Sequence, residues 1–169
     1  MRFLMVPDRL FGRYDDVTPS FLREQGIRLL LCDLDFTLAP KSVPEPDKAI
    51  FAWIDGMKKA GIEVMILSNN RHSERVERFC GKLDITYVGH AGKPSRRGFT
   101  EAMAKAGVSR VETAMLGDKL LTDVLGAQGS GVMALMVEPM GGAVTPWQKV
   151  LHALQSPFKA ICQRREEQI

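Results

Sequence analysis

Short apolar runs separated by stretches of helical periodicity organise this chain. The first, Leu29–Cys32, reads Leu-Leu-Leu-Cys without a polar break, as a strand covered on both faces requires. Ile62–Leu67, Ile85–Val88, Thr113–Leu116 and Val132–Val137 read as four further strands. Between them, Ile50, Phe51, Trp53, Ile54 and Met57 repeat at helical spacing after Asp47, and Gly61 closes that helix. Ser73 caps a second helix running to about Cys80 and followed by Gly81, and Lys93-Pro94 opens a third that ends at Gly107. A fourth covers about Thr122 to Gln128, and Pro146-Trp147 starts the last. Strands alternating with helices at this spacing predict an α/β fold, a Rossmann-like three-layer sandwich on a five-stranded, mostly parallel sheet. The expected spatial order of the five runs is fifth, fourth, first, second, third.

The flanks extend this unit. At 169 residues the chain fits a single domain, 1–169, with a packing segment over 1–26, a core over 27–137 and a helical segment over 138–169. Thr18-Pro19 starts a short helix through Glu24 that closes at Gly26. Trp147, Val150, Leu151, Leu154, Phe158 and Ile161 keep helical spacing past Pro157 and are expected to dock on the domain. A net charge of +3, with acids and bases interspersed, demands no nucleic acid. Cys32, Cys80 and Cys162 have no C-x-x-C partner and read as core thiols in a reducing compartment. No run is long enough for a membrane span or a signal-peptide core, so a cytoplasmic protein is expected.

Polar residues cluster where the strands end. Asp33 and Asp35 follow the first run, with Thr37 beyond; in an extended chain the two acids share a face. Ser68 follows the second run, Lys93 the third after a glycine-bearing loop, and Asp118 and Asp123 the fourth. One polar strand end is an ordinary turn, but four on one edge of a sheet describe a site. Carboxylates gathered there repel unless a cation joins them, and hard oxygen ligands suit Mg²⁺. Mg²⁺ with a lysine neutralises charge on a phosphoryl group, an aspartate can attack phosphorus, and a second can move the proton.

With these residues in place, the chain resembles the haloacid dehalogenase-like (HAD) phosphatases. Asp-Leu-Asp-Phe-Thr at 33–37 matches the first family motif, Ile66–Asn70 the second, Ala91–Pro94 the third and Gly117–Asp123 the fourth. The wording is similar to the YqeG-type branch, whose relatives include mitochondrial phosphatidylglycerophosphate phosphatases. Phe36 departs from it, standing where that branch usually has Asn. The resemblance implies a Mg²⁺-dependent phosphate monoester hydrolase working through an aspartyl-phosphate. Asp33 would be the nucleophile, Asp35 the general acid and base, Ser68 a phosphoryl ligand and Lys93 the neutralising cation. Asp33, Asp35 through its carbonyl, Asp118 and Asp123 would form the metal site, with Asp123 orienting Lys93 or a bound water. Thr37, Asn69, Arg71 and Arg96 are the expected substrate-binding residues. Arg96 and Arg97, in a helix's first turn where the dipole disfavours cations, hint at an anionic substrate.

Neither interval between the first three motifs has room for a cap domain, so the site is expected to be open to a bulky phosphorylated substrate. Phosphatidylglycerophosphate leads by resemblance, with peripheral membrane contact through Phe3–Val6 beside Arg2, Arg9 and Arg13. A small soluble phosphorylated metabolite is the alternative. A receiver-type signalling domain is the rival of another class, but it needs an acceptor aspartate after its third strand, where Tyr87-Val88-Gly89-His90 has none. A catalytically silent scaffold is the other rival, and the complete set of acids argues against it.

Overall fold

The computed structural model describes residues 5–70, 74–141 and 145–167. Six strands alternate with helices: β1 (Arg9–Phe11), α1 (Pro19–Glu24), β2 (Leu29–Cys32), α2 (Lys48–Lys59), β3 (Glu63–Leu67), α3 (Glu74–Leu83), β4 (Thr86–Val88), α4 (Arg96–Ala106), β5 (Thr113–Gly117), α5 (Leu125–Ser130), β6 (Met133–Val137) and α6 (Pro146–Glu166). They form one sheet, β1-β6-β5-β2-β3-β4, in which every neighbouring pair is parallel. The five expected strands stand in the expected order. The sheet nonetheless has six strands, because β1 adds to the outer edge of β6, with Arg9 opposite Leu135 and Phe11 opposite Val137. At three half-buried residues on an edge, β1 has too little apolar pattern to announce itself.

The central strands are buried on both faces. On β2, Leu30 and Cys32 join the core layer facing α2 and α3, while Leu29 and Leu31 join the layer under α4 and α5. The N-terminal segment belongs to the first layer: Tyr14, Val17 and Leu22 are fully buried. Trp53 donates its indole N–H to the Val17 carbonyl at 2.9 Å and meets the Tyr14 ring edge-on at 5.1 Å. Of the N-terminal run, Val6 is buried, whereas Phe3 and Leu4 lie outside the described residues.

Local boundaries shift for identifiable reasons. Ser95, not Lys93-Pro94, caps α4, and Gly81 sits inside α3, which continues to Leu83. The expected cap Ser73 lies outside the described residues. Residues Leu120–Val124 form a π-helical turn before α5 instead of regular helix. α6 docks on the domain as expected, with Phe158 of the expected stripe against the core under α4 and α5 and Leu151 half-buried, but the helix is rotated from the rest of that stripe. Gln155, Lys159 and Cys162 are buried, with Lys159 held by Glu138 at 2.8 Å, while Trp147, Val150, Leu154 and Ile161 stay exposed. The ion pair to the segment after β6 and the Glu166 contact to Leu10 of β1 set that rotation. No helix among the described residues is long and apolar enough to cross a membrane.

Each of the two intervals expected to lack a cap holds one helix, α2 or α3, among the described residues. Removing Trp53 would test how far the N-terminal segment depends on α2. Trp53→Ala should lower unfolding free energy by about 3–5 kcal/mol in urea titrations, because it opens a cavity and orphans the Val17 carbonyl.

Candidate active site

Parallel pairing carries the polar strand ends to one edge. Past the end of β2, Asp33 N–H donates to the Leu116 carbonyl of β5; past β3, Ser68 N–H donates to the Val88 carbonyl of β4. The Ser68 carbonyl in turn receives the Ala91 N–H, which draws the loop holding Lys93 against the sheet. Four separate strand ends thereby converge on a cleft of about 390 Å³ lined by Asp33, Asp35, Ser68, Asn69, Lys93 and Lys119.

Lys93 lies at the floor. Its side chain is only 2% exposed, and its ammonium donates to Asp123 at 2.7 Å and to Asp33 at 3.2 Å. Burial alone would lower the lysine pKa, but the two carboxylates outweigh it and hold the group above its ordinary range. Asn69 fixes the backbone on either side: its Oδ1 accepts the Lys93 N–H at 2.7 Å, and its Nδ2 donates to the Lys93 carbonyl at 2.9 Å. The Lys93–Pro94 peptide is cis. Asn69 was expected to bind substrate; the structure places it as the clamp on Lys93, with its residue still at the cleft wall.

Asp123 is fully buried and has both oxygens engaged, one by Lys93 and the other by the Lys119 N–H at 3.1 Å. Gly117 makes room for it, since a Cβ there would lie 2.3 Å from the carboxylate. Asp118 is buried beside it and receives the Thr37 hydroxyl at 3.3 Å. Thr37, expected to line the substrate site, is wholly buried and serves to orient Asp118. Burial raises Asp118 to a pKa of about 6, against the pull of Lys119. Ser68 is 5% exposed and accepts the Asn70 N–H at 3.1 Å, leaving its hydroxyl proton for another partner.

Two cations were missed by sequence reasoning. Lys119 reaches Asp118 at 3.0 Å and Asp33 at 3.5 Å, and lies 5.7 Å from the Phe36 ring centroid. Arg75 pairs with Asp35 and donates to the carbonyls of Val43 at 2.7 Å and Pro40 at 2.8 Å, stacking 5.0 Å from Phe79. Its signal was available: Arg75, like Arg96, is a cation in a helix's first turn, where the dipole disfavours it. Arg96 itself is exposed and absent from the cleft wall, and Arg97 is drawn to the His90 carbonyl. Arg71 lies outside the described residues.

The donor set fits a hard divalent cation. Asp33, Asp118 and Asp123 each offer an oxygen within 4.8 Å of the others, and the Lys119 ammonium bridging Asp33 and Asp118 marks the gap as a place for positive charge. The Asp35 carboxylate stands outside that group, tied instead to Arg75.

A parallel α/β sheet with this acid–lysine edge defines a phosphatase of the haloacid dehalogenase-like class. The chain belongs to that family: the HAD-hydrolase-like family model matches residues 90–141, and the chain is 31% identical over 143 residues to the probable phosphatase YqeG of Bacillus subtilis, covering 85% of this chain and 83% of that one. Among solved structures, the cobalt-bound deoxy-D-mannose-octulosonate 8-phosphate phosphatase of Haemophilus influenzae shares the fold at a TM-score of 0.55 and 20% identity, over 67% of this chain and 69% of its own. The 3-deoxy-D-manno-octulosonate 8-phosphate phosphatase of Moraxella catarrhalis, in complex with magnesium, phosphate and KDO, does so at 0.51 and 14%, over 87% and 97%.

The fit of Gly117 against Asp123 is directly testable. Gly117→Ala should cost about 1–3 kcal/mol of stability in thermal or urea melts, because the buried carboxylate must leave its ammonium partner to admit the methyl. Phosphatase activity should fall with it.

Proposed function

We propose that this HAD-type phosphatase hydrolyses phosphate monoesters by transferring the phosphoryl group to Asp33. The observation that carries this reading is the pairing of Lys93 with both Asp33 and Asp123, which aligns the nucleophile beside a buried cation. An Asp33 oxygen attacks phosphorus as the ester oxygen leaves, and Asp35, which must leave Arg75 and take a proton from solvent before the step, supplies the proton that oxygen takes up. Water then attacks the aspartyl-phosphate, giving its proton to Asp35, so Asp33 and Asp35 return to their starting states. Lys93 offsets charge on the carboxylate–phosphoryl unit, and Ser68 donates its hydroxyl to a phosphoryl oxygen.

Asp33 and Asp118 are the residues suited to hold Mg²⁺, with the Asp35 carbonyl as the third protein ligand. Asp123 acts behind them, since Lys93 and the Lys119 N–H occupy its oxygens. When bound, the metal supplies two positive charges that stabilise charge developing on the phosphoryl oxygens.

The cleft is open, and no folded unit covers it among the described residues. That openness supports a bulky phosphate monoester, with phosphatidylglycerophosphate the specific candidate, its headgroup entering while the acyl chains remain outside. Assay on phosphatidylglycerophosphate in mixed micelles against sugar phosphates and nucleotides tests the substrate. A higher kcat/KM for a small soluble ester would replace the lipid assignment with that of a soluble metabolite.

Two further outcomes test the chemistry. Asp33→Asn should fold normally yet lose about a thousandfold or more in kcat, because an amide cannot attack phosphorus. Near-normal steady-state hydrolysis by this variant would contradict the mechanism. For the metal, Asp118 must be ionised to serve as ligand, and protonation competes as pH falls through about 6. Calorimetry should therefore show Mg²⁺ binding roughly tenfold weaker at pH 5 than at pH 7. In Asp118→Asn, binding should be weak at both.

A further inference from the structure

Beside the catalytic cleft runs a second, narrower space of about 60 Å³, walled by Phe36, Pro139, Gln148, Leu151, His152 and Gln155 and sharing Asp118 and Lys119 with the site. Phe36 and Lys119 line the cleft as well, so the two spaces meet at the ring. We propose that this crevice is the leaving-group subsite, and that it takes an uncharged apolar substituent carried on the ester oxygen of the substrate. The inference rests on the phosphate-ester reading above and says which part of the ester the crevice holds.

Three observations carry it. First, Phe36 adopts φ +64, a left-handed conformation that an aromatic residue enters only against steric resistance. Its backbone is pinned on both sides: Phe36 N–H donates to the Ala39 carbonyl at 2.9 Å, and the Phe36 carbonyl accepts the Met140 N–H at 2.8 Å. The fold thus holds a large apolar ring at the border between cleft and crevice, three residues from the nucleophile. Second, α6 supplies the facing wall. Leu151 is half-buried at the crevice, and its helical neighbours Trp147 and Leu154, four residues before and three after, are 68% and 61% exposed. A substituent longer than the crevice would therefore continue onto apolar surface of the same helix. Third, the crevice has no lysine or arginine besides Lys119 among the described residues, and His152 is 3.5 Å from the Glu138 carboxylate. Nothing there favours a second phosphate, so the phosphodiester of phosphatidylglycerophosphate would have to lie in the open cleft and not in the crevice, whereas an alkyl or aryl group placed in the crevice loses contact with water.

Ethyl phosphate and hexyl phosphate release alkoxides of similar basicity, so their ratio of kcat/KM reports on the subsite and not on bond breaking. The full chain with Mg²⁺ should prefer hexyl phosphate by about tenfold or more, the effect of burying only a few methylenes. Phe36→Asn removes the ring with a residue type that adopts positive φ readily, and Leu151→Gln makes the opposite wall polar. Each should reduce the preference below about threefold. Equal rates for the two esters in the wild type, or an unchanged ratio in both variants, would overturn the proposal, as would an equal loss on both esters. Inhibition of the wild type by hexylphosphonate and ethylphosphonate gives a second readout independent of the variants, with equal inhibition constants again contradicting it. If the wild type hydrolyses neither ester and no aryl phosphate, the phosphatase reading falls together with the subsite. Hydrolysis of both at one rate sinks the subsite alone.

Discussion

The buried ammonium of Lys93 constrains everything near it. A charge at 2% exposure is tolerable only when paired and hydrogen-bonded, and Lys93 achieves this by touching Asp123 and Asp33 together. A well-packed apolar pair would stabilise the fold as well or better, so the ion pair is retained for its geometry. Its requirements spread outward: Asn69 clamps the Lys93 backbone, Gly117 clears space for Asp123, and the Lys119 N–H satisfies the second Asp123 oxygen. These residues come from four strand ends and the segments beyond them: Asp33 after β2, Asn69 after β3, Lys93 after β4, and Gly117, Lys119 and Asp123 at or after β5.

That dispersion explains why a parallel sheet is needed. Antiparallel hairpins would alternate strand ends between opposite edges, whereas right-handed crossovers return every carboxyl end to the same edge. The helices cover both faces, and the backbone bonds that continue beyond β2 and β3 seat Asp33 and Ser68 without a loop's freedom. In the proposed reaction, rigid seating of Asp33 and Lys93 would reduce the reorganisation needed as charge moves from the Asp33 carboxylate to the departing ester oxygen. Around this rigid floor the upper wall is assembled from the turn at Phe36 and the C-terminal helix, parts outside the shared strand–helix repeat.

Most of the fold was legible because β2 and β6 are continuous apolar runs and β3 and β5 are apolar after one polar residue each, Glu63 and Thr113, the pattern of a doubly covered strand. β1 escaped because a three-residue edge strand depends on its partner and not on its own pattern. The acids and Lys93 were legible because their order and spacing form recognisable motifs. Lys119 was not, and Arg75 carried only the signal of a cation in a helix's first turn, since the roles of both depend on contacts made in space: Arg75 meets an acid forty residues away, and Lys119 turns back onto Asp118 and Asp33. The face of α6 was misjudged for a related reason. Apolar periodicity marked Trp147, Val150, Leu151, Leu154, Phe158 and Ile161 as the docking stripe; Phe158 meets the core and Leu151 is half-buried, but the Lys159–Glu138 pair and buried Cys162 rotate the helix so that Trp147, Val150, Leu154 and Ile161 stay exposed.

Formation of an acyl-phosphate mimic on Asp33 tests the central claim most directly. Beryllofluoride binds an aspartate in the manner of a phosphoryl group, and ¹⁹F NMR distinguishes bound from free. With Mg²⁺ present, the protein should show bound beryllofluoride resonances that vanish in Asp33→Asn and weaken strongly in Lys93→Met. Bound resonances that persist in Asp33→Asn, or that never appear in the wild type, would contradict the assignment of Asp33 as the residue that takes the phosphoryl group.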